Sequence, residues 1–168
     1  PDNYNTGNHS MFEKVFTYNL KLLKLSDKYI KIDLPNKIPN GIPMNDVKEK
    51  LLCMVNVFHT IKEQPDELYS ERINVVKYFE ENHLEDFDLW GMGWNTISYK
   101  GLTEDKLKTL RKYKFSICYE NTLNDFGYIS EKIFDSMFAG TVPVYLGNIN
   151  AKEIFGDCII IPEYEMVN

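Results

Sequence analysis

From residue 49 onward, short apolar runs alternate with stretches whose apolar positions recur every three or four residues. That alternation is the pattern of βαβ units and a parallel sheet. Leu51 to Phe58 reads as a buried strand, and a helix is predicted over about 66–82, with Tyr69, Ile73, Val76 and Phe79 along one face. A second strand is predicted from Phe87 to Gly91. Thr103 supplies a capping residue, with Glu104 and Asp105 as early acids, for a helix running to about Tyr113. A third strand from Phe115 to Tyr119, a helix from about Ile129 to Ala139 and a fourth strand from Val142 to Leu146 follow. Asn150 to Phe155 reads as a short helix and Cys158 to Pro162 as a last strand. Four or five strands separated by helices imply an α/β fold with an open, doubly wound, Rossmann-like sheet and helices on both faces. Such sheets bind ligands beyond the carboxyl ends of their strands.

Residues 1–48 break that pattern. Gly7, Pro35, Pro39, Gly41 and Pro43 interrupt it, and only Phe12 to Leu25 and Tyr29 to Leu34 look ordered. They are expected to be a connector, or the end of an upstream domain, in front of a ligand-binding domain over 49–168. A start on Pro1 reads as that of a piece of a longer chain.

Composition narrows the choice of partner. With 43% hydrophobic and 26% charged residues in 168, the chain suits one packed core. A net charge of -6 without a basic patch argues against nucleic acid, and no apolar run reaches the roughly 20 residues of a membrane span. Residues 114–168 hold only three basic side chains against eight acidic ones, which makes Lys132 conspicuous. Cys53, Cys118 and Cys158 lie in apolar runs far apart and are expected to be core thiols, and the scattered histidines give no metal-ligand spacing. Asp86-Phe87-Asp88 matches a metal-holding DxD pattern, but its acids flank the entry to a strand, the wrong end for a crevice ligand. Gly91-Met92-Gly93 begins a dinucleotide fingerprint and has Thr96 where the third glycine belongs. Asn8-His9-Ser10 is a glycosylation sequon.

The densest polar cluster, Tyr119 to Lys132, follows the third strand. A helix burying Ile129, Ile133 and Met137 places Ser130, Glu131 and Lys132 in its first turn, where free N–H groups and the helix dipole suit phosphate oxygens. The same residues can form a cap, by Ser130 or Asp125, with Lys132 solvated; spacing alone favours the cap. Lys132 reads as an exposed side chain whose removal leaves the fold intact. Gly140 is expected to end that helix, and Gly147 to let a ligand or loop approach the backbone. Arg72, one of two arginines, reads either as a fork reaching a crevice ligand or as a surface residue.

Three segments together become familiar: Lys112 to Thr122, Gly127-Tyr128-Ile129-Ser130-Glu131-Lys132-Ile133, and Gly140-Thr141-Val142-Pro143-Val144-Tyr145-Leu146-Gly147. In this order they resemble the donor-binding signature of the α-1,3/1,4-fucosyltransferases of glycosyltransferase family 10. Looser similarity extends upstream through Arg72 and Phe87 to Gly91. The resemblance implies the C-terminal half of a GT-B enzyme that binds GDP-fucose and transfers fucose to a glycan hydroxyl with inversion, with no metal or other cofactor required. It also implies Arg72 and Lys132 as cations facing the diphosphate, Glu131 as the carboxylate for ribose hydroxyls, and Asn121, Tyr128 and Ser130 as further donor contacts. Tyr119 stands where the family usually has Phe, and the loop from Asn124 to Gly127 varies in the family, so Asp125 is a weak candidate. The family's base belongs to the N-terminal acceptor domain, and nothing in residues 1–48 matches it. Two other readings stay open at this point: a transferase using another nucleotide sugar, and a sugar- or nucleotide-binding module without turnover.

Overall fold

The computed structural model describes residues 6–32, 40–42, 46–60, 64–124 and 126–163. Asp125, Pro35, Pro39 and Pro43 lie outside them, as does the end of the predicted segment Tyr29 to Leu34.

Two short helices and two short strands occupy the N-terminal part: α1 (Thr6–His9), β1 (Val15–Thr17), α2 (Leu20–Leu23) and β2 (Tyr29–Lys31). β1 and β2 pair in parallel as a separate two-stranded sheet. The main sheet is formed by β3 (Lys50–Val55), β4 (Phe87–Trp90), β5 (Tyr113–Asn124) and β6 (Val142–Asn148). All neighbours run parallel, in the order β4-β3-β5-β6. Four helices connect them or follow: α3 (Tyr69–Asn82), α4 (Lys106–Leu110), α5 (Glu131–Phe138) and α6 (Ala151–Phe155).

Side-chain alternation along the strands builds a core on each face of the sheet. Leu52, Met54, Phe87, Leu89, Ile117, Tyr119 and Leu146 face Val76, Ile73 and Phe79 of α3. On the other face Cys53 and Tyr113 meet Leu110 of α4, while Cys118 and Tyr145 meet Ile133 of α5 and Ala151 of α6. Helices therefore cover both faces, and each strand reads as a nearly continuous apolar run because neither face is wet.

Several boundaries differ from the sequence reading for local reasons. α3 begins at Tyr69 because Glu67 is taken into an antiparallel bridge with Thr122; its carboxylate then accepts from the Tyr69 and Ser70 N–H groups at 2.7 and 3.0 Å. Tyr69 consequently turns away from the core that Ile73, Val76 and Phe79 join. α4 is capped by Asp105, whose side chain accepts from the Lys108 N–H at 3.0 Å, and it stops before Tyr113 because that residue pairs with Lys50 in the sheet. β5 runs five residues past its expected end. The stretch predicted as a last strand is only a bridge from Ile160 to Val144, since the 3-10 turn Gly156–Cys158 uses up its first residue. That turn leaves Cys158 at the surface, in contrast to the core thiol expected there; Cys53 and Cys118 are buried.

Candidate functional site

In the order β4-β3-β5-β6 the connections leave β3 in one direction and β5 in the other, so the switch point lies between the carboxyl ends of β3 and β5. Asn56 follows β3 and Asn121 lies in the far part of β5. Between them opens a cleft of about 470 Å³, bounded by Tyr69 and Arg72 of α3 on one side and by Glu131 and Lys132 of α5 on the other.

Past Tyr119 the register of β5 against β6 shifts. This extension pairs with the chain before α3: the Leu68 N–H donates to the Asn121 carbonyl at 3.1 Å, and the Leu123 N–H donates to the Asp66 carbonyl at 2.7 Å. The first turn of α3 is thereby fixed over Asn121, which sets Arg72 in the cleft wall. Arg72 is only 3% exposed. Its Nη2 donates to the Tyr119 carbonyl and to Asn121 Oδ1, both at 2.8 Å, and its guanidinium lies 4.7 Å from the Tyr69 ring centroid. Nε is buried without a partner. Among the described residues no carboxylate forms an ion pair with Arg72. Burial lowers its pKa, against smaller raising effects from Tyr69 and Glu120. The reading of Arg72 as a surface residue is overturned.

At the start of α5, Ser130 is the cap, its Oγ accepting from the Lys132 N–H at 3.4 Å. Beneath it lies Glu120, a fully buried carboxylate that sequence reading did not single out. Glu120 accepts from the Ser130 N–H at 2.7 Å, the Ser130 hydroxyl at 2.6 Å, Lys132 Nζ at 3.2 Å and the Tyr145 hydroxyl at 3.4 Å. Lys132 Nζ also donates to Ser130 Oγ at 3.0 Å. Lys132 is thus mostly buried and paired, in contrast to the solvated side chain expected. Gly147 allows a close approach, as expected, but by a protein side chain: a Cβ there would stand 2.4 Å from Glu120 Cγ.

Four of the predicted site residues, Arg72, Asn121, Glu131 and Lys132, line one cleft. Ser130 does not line it and is 1% exposed. Tyr128 sits beside it in a loop held by Asn124, whose Oδ1 accepts from the Tyr128 N–H at 3.0 Å. Burial, then the charges of Glu120 and Glu131, push the Tyr128 phenol up to about 12. Lys106 is a cleft cation the sequence reading missed; its Nζ pairs with Asp135 at 2.7 Å and lies 3.7 Å from Glu131. Of the DxD pair, Asp88 is taken up by Lys50, by the Tyr113 hydroxyl at 2.6 Å and by Lys100 at 3.4 Å, and none of these residues lines the cleft. No group of three or more potential metal ligands occurs among the described residues.

A buried guanidinium, a second cation and a helix start meet at a switch point, an arrangement chemically suited to phosphate oxygens. Comparison with known proteins narrows its kind. Residues 47–158 match the description Glycosyltransferase family 10 (fucosyltransferase) C-term. The chain belongs to this family.

An alpha-(1,3)-fucosyltransferase, FucT, from Helicobacter pylori is 32% identical over 87 residues, 52% of this family member and 18% of that protein. A crystal structure of an alpha1,3-fucosyltransferase with GDP superposes with a TM-score of 0.56 at 21% identity, covering 84% of this chain and 49% of that one. The pneumococcal O-GlcNAc transferase GtfA, in complex with UDP and GlcNAc, gives a TM-score of 0.61 at 10% identity, over 99% of this chain and 37% of that one. These likenesses show a shared GT-B-like α/β fold. This family 10 chain spans less than a fifth of the H. pylori protein and about half of the solved fucosyltransferase chain. No helix among its described residues is long and apolar enough to cross a membrane.

Proposed function

We propose that this chain is the donor-binding half of a fucosyltransferase and that its cleft holds GDP-fucose. One observation carries the reading: Arg72 is 3% exposed and has no carboxylate partner among the described residues. A buried cation without an ion-pair partner is costly, and an anion entering the cleft lowers that cost.

With Nη2 committed to Tyr119 and Asn121, Arg72 offers the rest of its fork to the diphosphate, and Lys132 approaches from the start of α5. Asn121 keeps Arg72 in place and borders the same oxygens. Glu131, half exposed at the mouth, is suited to accept from ribose hydroxyls. Ser130 acts through Lys132 and Glu120, and Tyr128 reaches the donor from the loop side. When an acceptor glycan hydroxyl attacks the anomeric carbon, the glycosidic C–O bond to GDP breaks and negative charge grows on the leaving phosphate. Cations and helix dipole fixed in advance stabilise that charge more than the ground state, which lowers the barrier. The acceptor hydroxyl's proton goes to a base that this reading assigns to the acceptor half of the full-length enzyme.

Calorimetry on this chain with GDP, UDP and CDP tests the reading. Tighter binding of GDP is expected; a preference for UDP overturns the fucose donor. Arg72→Met is expected to weaken GDP binding about ten- to a hundredfold, while leaving the thermal midpoint unchanged or higher, because it removes a buried charge with no ion-pair partner among the described residues. Unaltered GDP affinity in that variant would sink the site.

A further inference from the structure

We propose that Tyr69 is a positioning residue for the phosphate-binding Arg72, its ring covering a buried guanidinium that has no ion-pair partner among the described residues. The inference rests on the donor reading above and assigns a role to a side chain outside the family signature segments.

A guanidinium so deeply buried needs its orientation fixed, or its rotamers would spread and the fork would meet the phosphates in several poses. Nη2 is tied to two acceptors, which leaves rotation of the plane about that edge to be restrained. Nε, buried and unpartnered, contributes nothing. Restraint comes from the Tyr69 ring, 4.7 Å from the guanidinium carbon. Stacked over a ring, a planar cation gains electrostatically from the π face and keeps its in-plane N–H groups free for a ligand, which a carboxylate partner would occupy. A carboxylate there would also repel a diphosphate. The ring is itself fixed: Glu67 accepts from the Tyr69 N–H at 2.7 Å, and His59 packs edge-on against the ring at 4.9 Å. Tyr69 is therefore held from the α3 cap on one side and from the loop after β3 on the other, with Arg72 one turn along the same helix.

The test uses this chain with three variants, Tyr69→Phe, Tyr69→Leu and Tyr69→Leu in an Arg72→Ala background, and GDP as ligand. Tyr69→Phe keeps the ring and should bind GDP within about twofold of wild type, whereas Tyr69→Leu should bind about three- to tenfold more weakly at an unchanged thermal midpoint. With Arg72 removed, Tyr69→Leu should cause no additional loss. An equal loss in Tyr69→Phe, no loss in Tyr69→Leu, or the same further loss without Arg72 each overturns the proposal, the last because the ring would then touch the ligand itself. NMR reads the positioning without ligand: Arg72 side-chain protons should carry an upfield ring-current shift in wild type and Tyr69→Phe that disappears in Tyr69→Leu. If wild type shows the shift and binds no GDP, the donor reading fails and the stacking stands; if the shift is missing in wild type, the inference fails whatever GDP does.

Discussion

Lys132 is presented to the cleft by Glu120, and the two cannot be changed independently. Lys132→Ala removes the cation and leaves a fully buried carboxylate with hydrogen bonds but no ion-pair partner among the described residues. The variant is expected to lose about 3 kcal/mol of stability as well as GDP affinity, since breaking a buried pair strands the remaining charge. Adding Glu120→Gln should restore most of the stability and none of the affinity; urea unfolding of the single and double variants, alongside GDP calorimetry, separates the two effects. An additive stability loss in the double variant would show that the pair is not coupled. The place of Glu131 and Lys132 in the first turn of α5 was legible from the apolar period, and both line the cleft. Glu120 was passed over because it reads as one more polar residue after a strand. Alternation carries the missing signal: Ser116, Cys118 and Glu120 share a parity, so an acid there faces α5 and must find donors.

The elements were legible where apolar period alone decides them, as in α5, β3 and β6. They were misjudged where backbone pairing across the chain decides. β5 continues to Asn124 through residues that carry no apolar run, because the segment before α3 supplies hydrogen bonds from the other side. Nothing local in Asn121 to Asn124 announces that partner. The end of α5, by contrast, was fully readable. Gly140 takes φ 65°, with its N–H donating to the Met137 carbonyl at 2.9 Å and the Thr141 N–H donating to the Ser136 carbonyl at 2.9 Å. This double closure requires the left-handed conformation that glycine adopts freely. Gly140→Ala is expected to cost about 1 kcal/mol, measured by urea unfolding, with GDP affinity unchanged because the far end of α5 carries the site. A variant as stable as wild type would mean that the closure relaxes to another turn.

At the scale of the whole molecule the two regions separated by the break in pattern pack together, which no local pattern could disclose. The Leu20 N–H donates to the Phe126 carbonyl at 2.9 Å, and Tyr18 packs on Tyr128 with ring centroids 5.2 Å apart, so the N-terminal part bears on the loop beside the cleft. The rest of the assembly is tied by acids that do not line the cleft. Asp88 joins β4 to Lys50 of β3 and Tyr113 of β5, and Glu80 of α3 accepts from the Ser98 N–H at 3.0 Å and its hydroxyl at 2.5 Å. Burial alone would raise both carboxyls; the Lys50 and Tyr113 hydrogen bonds at Asp88, and the Ser98 bonds at Glu80, outweigh it and hold both below their ordinary range. A carboxyl whose folded pKa is depressed contributes stability that is fully present above its unfolded pKa, near 4, and is lost as pH falls through the lower folded value. Thermal midpoints are therefore expected to stay level from neutrality down to about pH 5 and to fall steeply below about pH 4. Asp88→Asn should lower the midpoint at pH 7 and leave a shallower acid limb, since the variant has one fewer proton to take up on unfolding. Equal acid slopes in wild type and variant would mean that Asp88 is not held ionised by Lys50 and Tyr113.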